Sequence, residues 1–300
     1  MTDRLVVLGC GYVGLELVRQ VRDAYDVVGV RRSEAGVDAV EAAGGTGVQA
    51  DVTDPDALER VPDADAVVFA ASAGGRGVEA ARATYVEGQR TTIEAFCGRE
   101  HPPDRYVYTS STGVYGDHDG GWVDEETPFD PDSEREELLI EAERLALDRT
   151  AALGVDGSVA RFGGLYGPDR YRLERYLDGP VTEGYLNVVH RDDAAGAVAH
   201  LLAAGVARGE VVNVVDDEPV EKWTFADWLA EQCGVEPPPK QTVADRLESD
   251  DLSPSARRRI RANKRVANDK LHGLGYEFRY PTFREGYRDA IERYVTENDG

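Results

Sequence analysis

The sequence predicts an α/β fold, a doubly wound parallel sheet followed by a smaller, mainly C-terminal α-rich region. Three observations predict it. Short β-rich apolar runs alternate with stretches of helical periodicity from residue 5 onward. Each helical stretch between two such runs is long enough to return the chain parallel to the strand it left. The string Gly9-Cys10-Gly11-Tyr12-Val13-Gly14 falls directly after the first apolar run and opens the first helical stretch.

The first strand is the run Leu5-Val6-Val7-Leu8, whose unbroken apolar character suits a strand covered on both faces. A helix over 13–24 follows, then a strand over 26–30, a helix near 37–43 and a strand over 47–50, which completes a βαβαβ unit. The alternation continues with a strand over 64–70, a long helix over 78–97, a strand over 105–109, a helix over 134–153 and a strand over 155–161. This is the plan of a Rossmann domain. After Gly167-Pro168 the pattern loosens, although 187–189, a helix over 193–204 and 211–215 can still extend the sheet. Pro237-Pro238-Pro239 marks a linker or long loop. Trp223, Phe225, Trp228, Leu229 and Cys233 have the spacing of an amphipathic helix facing a small C-terminal core.

At 300 residues and 41% hydrophobic, the chain can bury a core that needs no covalent staple. Cys10, Cys97 and Cys233 are odd in number and widely spaced, which argues against a disulfide framework or a C-x-x-C site. His101, His118, His190, His200 and His272 lack ligand spacing, so no metal site is expected. With no leader-like segment before Leu5 and no apolar stretch of membrane length, the expectation is a soluble, cytoplasmic protein. Acidic residues outnumber basic ones 57 to 34, for a net charge of −23, which excludes a general nucleic-acid binder. The acid is spread along the chain and reads as solvation; attraction of a basic partner is the alternative. Only Lys222, Lys240, Lys264 and Lys270 are lysine. This composition resembles that of salt-in halophile proteins and implies a salt-requiring fold.

In the glycine string, Gly9 permits a tight turn, Gly11 lets a pyrophosphate approach the backbone, and Gly14 allows close helix packing; Tyr12 and Val13 begin the helix whose amides face the anion. About twenty residues beyond Gly11, where an NAD site usually carries an acid, stand Arg31, Arg32 and Ser33. Two guanidiniums and a hydroxyl suit a 2′-phosphate, so NADP(H) is favoured over NAD(H). Asp51 and Val52, after the third strand, are placed for the adenine, with a helix N-cap as the alternative role for Asp51.

With these residues in view, the chain resembles the extended short-chain dehydrogenase/reductases, the NAD-dependent epimerase/dehydratase family. The resemblance rests on an ordered set: the glycine loop, Asp51-Val52, Ala70-Ala71-Ser72, Ser110-Ser111-Thr112-Gly113-Val114-Tyr115-Gly116, Leu165-Tyr166-Gly167-Pro168, Asn187-Val188-Val189-His190-Arg191-Asp192-Asp193, and Asn213-Val214-Val215. It implies that Ala70, Ala71 and Ser72 belong to the cofactor site, with Ser72 and Gly74-Gly75 beside the nicotinamide half. It also implies that Ser111 polarises a substrate carbonyl or alcohol; a turn-satisfying hydroxyl is the plainer alternative. His190 reads as architectural.

The family's Tyr-x-x-x-Lys is absent. Setting Glu143 in register with the family's following Glu puts Arg135 at the Tyr place and Leu139 at the Lys place, and neither can shuttle a proton near neutrality. Tyr115 is then the nearest phenol, and Arg135 becomes a candidate for binding an anionic or carbonyl group. In the basic stripe 257–270, Arg258 and Arg261 are candidates for substrate phosphate, a solvated helix face being the alternative.

The resulting expectation is a Rossmann domain of 1–166 plus 187–215 and a substrate-side domain of 167–186 plus 216–300. The expected function is an NAD(P)-dependent oxidoreductase or epimerase/dehydratase acting on a small molecule such as a nucleotide sugar. The alternative is a non-catalytic NADP-binding sensor. Neither nucleic acid nor membrane is an expected partner. Family likeness implies a homodimer through the helices 78–97 and 134–153.

Overall fold

The computed structural model describes residues 2–75, 77–131, 133–250 and 252–298. Seven parallel strands, β1 (Arg4–Leu8), β2 (Asp26–Arg31), β3 (Thr46–Gln49), β4 (Ala66–Phe69), β5 (Arg105–Ser111), β6 (Asp156–Phe162) and β7 (Glu210–Val214), form one sheet in the order β7-β6-β5-β4-β1-β2-β3. The chain runs outward from β1 to β3, then crosses back to lay β4 against the other side of β1, with Val6 opposite both Val28 and Val67. The sheet order therefore reverses between β1 and β4, and a crevice opens beyond their carboxyl ends.

Alternation along β1 explains its unbroken apolar run. Leu5 and Val7 face α1 (Tyr12–Val21) and the later helix α5 (Arg191–Ala203), packing with Leu17, Val18, Val198 and Leu201. Val6 and Leu8 face the other way, onto Phe69, Ile93, Phe96, Tyr106 and Leu145. Both faces are buried, so each strand position must be apolar. On β2 the same demand precedes α2 (Glu34–Ala42), capped by Ser33.

The long helices α3 (78–97) and α4 (134–152) cover the second face, and each is interrupted by a π segment, Arg82–Gly88 in α3 and Leu145–Arg149 in α4. Periodicity placed both helices and could not show these wider turns. Two expectations change. β5 runs on to Ser111, two residues past its expected end at Thr109. The stretch at 187–189 does not join the sheet; Val188–His190 pairs instead with Gly164–Tyr166 as a separate two-stranded ribbon, and β7 takes the sheet edge beside β6.

A second core lies beyond the strand ends. The helix α6 (Lys222–Cys233) buries Phe225, Leu229 and Cys233 against Leu177, Val220, Phe283 and Tyr287, as its spacing predicted, with Trp228 half-buried beside them; Trp223, expected on the same face, instead donates to the Val181 carbonyl at 2.8 Å. Phe225 meets Phe283 and Tyr287 edge to face at 5.1 and 5.2 Å. Among the described residues no helix is long and apolar enough to cross a membrane.

Candidate functional site

The glycine loop sits at the crevice between β1 and β4. Gly9 holds φ +85°, and a Cβ there would lie 2.3 Å from Ala71 Cα, so only glycine fits. Its amide donates to Val30 O at 3.2 Å, tying the loop to β2. A Cβ on Gly14 would lie 3.0 Å from the Gly9 carbonyl, the close packing that keeps α1 against the turn. Gly11 caps α1 with no side chain, leaving the first helical amides open to the crevice.

On one side of the loop is a cavity of about 700 Å³. Gly9, Gly11, Arg31, Arg32, Ser33, Asp51, Val52, Ala71 and Ser72 all line it. The Arg31 guanidinium bends back and donates to the Cys10 carbonyl, beside Gly11. Arg32 reaches across to Asp51, 3.9 Å away, with both side chains largely in solvent. Ser33 Oγ accepts from Gly36 N at 3.2 Å as the cap of α2. Asp51 accepts from Thr53 N and Oγ1 at 3.0 and 2.8 Å, while the following short helix is capped by Asp54. The alternative role of Asp51 as a helix N-cap is thus taken by its neighbour.

On the other side lies a smaller cavity of about 260 Å³, reached by Tyr12, Val13, Gly14 and Ala70 and sharing Gly9, Gly11, Ala71 and Ser72 with the first. Its far wall carries Ser111, Leu139 and Tyr85. Ser111 Oγ accepts from Gly113 N at 3.1 Å, so it satisfies its turn and also faces the cavity. This two-lobed crevice, with a glycine turn and open helix amides at its waist, would suit a nicotinamide dinucleotide in shape and donors. The glycine positions would admit the pyrophosphate, and Arg31, Arg32 and Asp51 would hold the adenosine end.

Tyr115 requires a correction, because it does not reach this cavity. The turn Thr112–Tyr115 folds its ring into the core, where it is fully buried. Its oxygen donates to Asn213 Oδ1 at 2.8 Å and accepts from Arg161 Nη1 at 2.7 Å. Arg161 in turn grips Glu143 at 2.7 Å, and Glu143 accepts from Ser110 Oγ at 2.6 Å. Burial pushes the Tyr115 phenol up to about 12, against the lowering pull of Arg161. Arg135, at the family's Tyr place, turns to Tyr85 and donates to its oxygen at 3.0 Å, while Leu139, at the Lys place, presents hydrocarbon to the cavity. His118 bonds the Tyr115 carbonyl at 2.8 Å and lines neither cavity. His190 caps α5, accepting from Asp192 N at 3.2 Å, with burial driving its imidazole down to about 4.

A third cavity, about 680 Å³, meets the second at Leu165 and Arg170 and extends under the C-terminal core. Arg170, Arg172, Arg175, Lys222, Arg246 and Arg259 line it. Among the described residues none of these six cations pairs with a carboxylate within 4.0 Å. In a chain of net charge −23, that is a strong local reversal of sign. The basic stripe contributes Arg259 from the helix α7 (Pro254–Arg261); the expected Arg258 and Arg261 are turned off the cavity by helical phase. No grouping of three or more His, Cys, Asp or Glu that could hold a metal occurs among the described residues.

The family model described as "NAD dependent epimerase/dehydratase family" matches residues 5–214. "Protein YeeZ" of Escherichia coli K12 is 29% identical over 291 residues, covering 93% of this chain and 96% of that protein. A solved structure of a functionally unknown conserved protein from Silicibacter pomeroyi superposes over the whole of both chains with a TM-score of 0.73 at 27% identity. DesIV, the dTDP-glucose 4,6-dehydratase of Streptomyces venezuelae solved with NAD bound, shares the fold at a TM-score of 0.76, covering 99% of this chain and 98% of that one at 22% identity.

Proposed function

The chain belongs to the NAD-dependent epimerase/dehydratase family, and on that premise we propose that it is an NADP(H)-dependent oxidoreductase of epimerase/dehydratase type, acting on the carbonyl or hydroxyl of an anionic substrate such as a nucleotide sugar. The observation that carries this reading is the continuity of the crevice: two lobes flanking the glycine loop, then a cavity lined by six cations with no carboxylate partner among the described residues. A diphosphate would offer those cations a counter-charge.

A bound nicotinamide supplies or accepts a hydride. The chain's own residues do the rest. Gly9, Gly11 and the α1 amides receive the pyrophosphate, and Arg31 and Arg32 favour a 2′-phosphate over a bare ribose hydroxyl. Ser111 keeps its hydroxyl hydrogen for the reacting oxygen, since its oxygen already accepts from Gly113. Leu139 and Ala71 exclude water beside it.

A second reading, a dinucleotide-binding sensor, is favoured by Arg135 and Leu139 standing where the family's acid/base pair would be. Titration of NADPH and NADH into the protein in molar KCl, followed by nicotinamide fluorescence with a panel of nucleotide sugars and simple carbonyls, separates the two. NADPH binding tighter than NADH, with hydride transfer to a panel member, supports the enzyme. Tight binding with a silent panel supports the sensor, and equal affinities refute the NADP(H) preference.

A further inference from the structure

Resting on that reading, the geometry points to Tyr85 as the proton-transferring phenol of the site, positioned by Arg135. Three phenols line the smaller cavity, Tyr12, Tyr85 and Tyr108. Tyr12 commits its hydrogen to the Pro168 carbonyl at 2.9 Å. Tyr108 is closed off from solvent and pushed far up by burial. Tyr85, itself mostly buried, differs from both in the bonding of its oxygen. Its oxygen accepts from Arg135 Nη2 at 3.0 Å and stands 3.5 Å from the Ala73 amide, while its own O–H has no acceptor among the described residues. Two donors on the oxygen turn the hydroxyl hydrogen away from them.

Tyr85 comes from the π segment of α3, across the cavity from the helix that normally delivers this group. Arg135, at the family's Tyr place on α4, thus acts through a neighbouring phenol, with its guanidinium 5.4 Å from the Tyr85 ring centre. It stands in for the missing ammonium by holding the phenol oxygen with a fixed positive charge. In the reducing direction the carbonyl carbon takes hydride from reduced nicotinamide while the Tyr85 O–H bond breaks and its proton forms the O–H bond of the product alcohol. The oxygen of the resulting phenolate is held by Arg135 and faces the Ala73 amide until water reprotonates it. The oxidising direction reverses each transfer.

The test uses Tyr85→Phe, Arg135→Leu and Arg135→Lys in the full chain in molar KCl. NADPH dissociation constants are read by nicotinamide fluorescence, and so is binding of N-cyclohexylformamide, an unreactive carbonyl acceptor, to the NADPH-loaded protein. Tyr85→Phe leaves NADPH affinity within about twofold but weakens the formamide about tenfold, the loss of one hydrogen bond. On any carbonyl the panel shows to be reduced, it lowers kcat about 100-fold or more. Arg135→Leu loses activity likewise, and Arg135→Lys, which keeps a donating cation, restores a substantial part. Equal formamide affinity in wild type and Tyr85→Phe overturns the assignment, as does a wild type that binds NADPH but no formamide. A wild type that binds no NADPH overturns the cofactor reading and takes this one with it.

Discussion

Replacing Tyr115 with phenylalanine separates a structural phenol from a catalytic one. In the structure its oxygen bridges Arg161 Nη1 at 2.7 Å and Asn213 Oδ1 at 2.8 Å, both in full burial. Phenylalanine fills the same space and leaves one guanidinium hydrogen and one amide oxygen unsatisfied. Arg161 still has its paired contacts to Glu143, at 3.0, 3.2 and 2.7 Å, so the ion pair survives. The loss is then that of one charge-assisted and one neutral hydrogen bond, about 2–3 kcal/mol. For a chain of 300 residues, the unfolding entropy converts this to a fall in Tm of about 3–5 °C. Removing Glu143, by contrast, strands a buried cation and costs about 3–5 kcal/mol. Calorimetry in molar KCl measures the Tm, and nicotinamide fluorescence the cofactor affinity, which stays at the wild-type value. A Tm unchanged by Tyr115→Phe, together with a turnover that collapses, would refute the reasoning and return Tyr115 to the chemistry.

Gly9→Ala places a Cβ against the Ala71 backbone at a positive φ, so we expect a loss of about 3 kcal/mol or more and at least tenfold weaker NADPH binding, checked by unfolding and fluorescence titration. Tm rises from low to molar KCl because salt screens the repulsion of a −23 chain; a Tm independent of KCl contradicts this. His190 is held neutral, its folded value of about 4 lying below the ordinary 6.5, so the unfolded chain takes up the proton first. Its contribution is complete above about pH 6.5 and is lost as pH falls toward 4, on the order of 2 kcal/mol once partial screening is discounted. The raised carboxyls of Asp193 and Asp216 act in the opposite sense, so the comparison is with His190→Asn, whose stability lacks this component of the slope.

The sheet was legible because burial on both faces writes itself into each strand as unbroken apolar residues, and the glycine loop because its backbone geometry excludes a side chain. Val188–His190 was misplaced since three residues cannot say which strand they pair with. Tyr115 follows Ser111 closely along the chain, yet the tight turn at Thr112–Tyr115 reverses its direction, which spacing alone does not encode. Arg258 and Arg261 were chosen over Arg259 because a short helix can be phased only once its partners are known. Tyr85 was missed for a similar reason: it lies 50 residues from Arg135, and only the packing of α3 on α4 joins them. That Arg170, Arg172 and Arg175 have no carboxylate partner among the described residues is likewise invisible until the third dimension shows which acids stay away.

The π segment at Arg82–Gly88 has a bearing on how such a site could arise and be lost. A wide turn accommodates one more residue than the α-helical register, and each residue advances the helix by about 100°. A single-codon change that converts this turn to or from the α-helical register shifts the side chains within it, Tyr85 among them, while the flanks keep Ala81, Ile93 and Phe96 in the core. The aim of Tyr85 into this cavity is therefore set by chain length in residues 82–88 as well as by residue identity, in a way that substitution tables do not register.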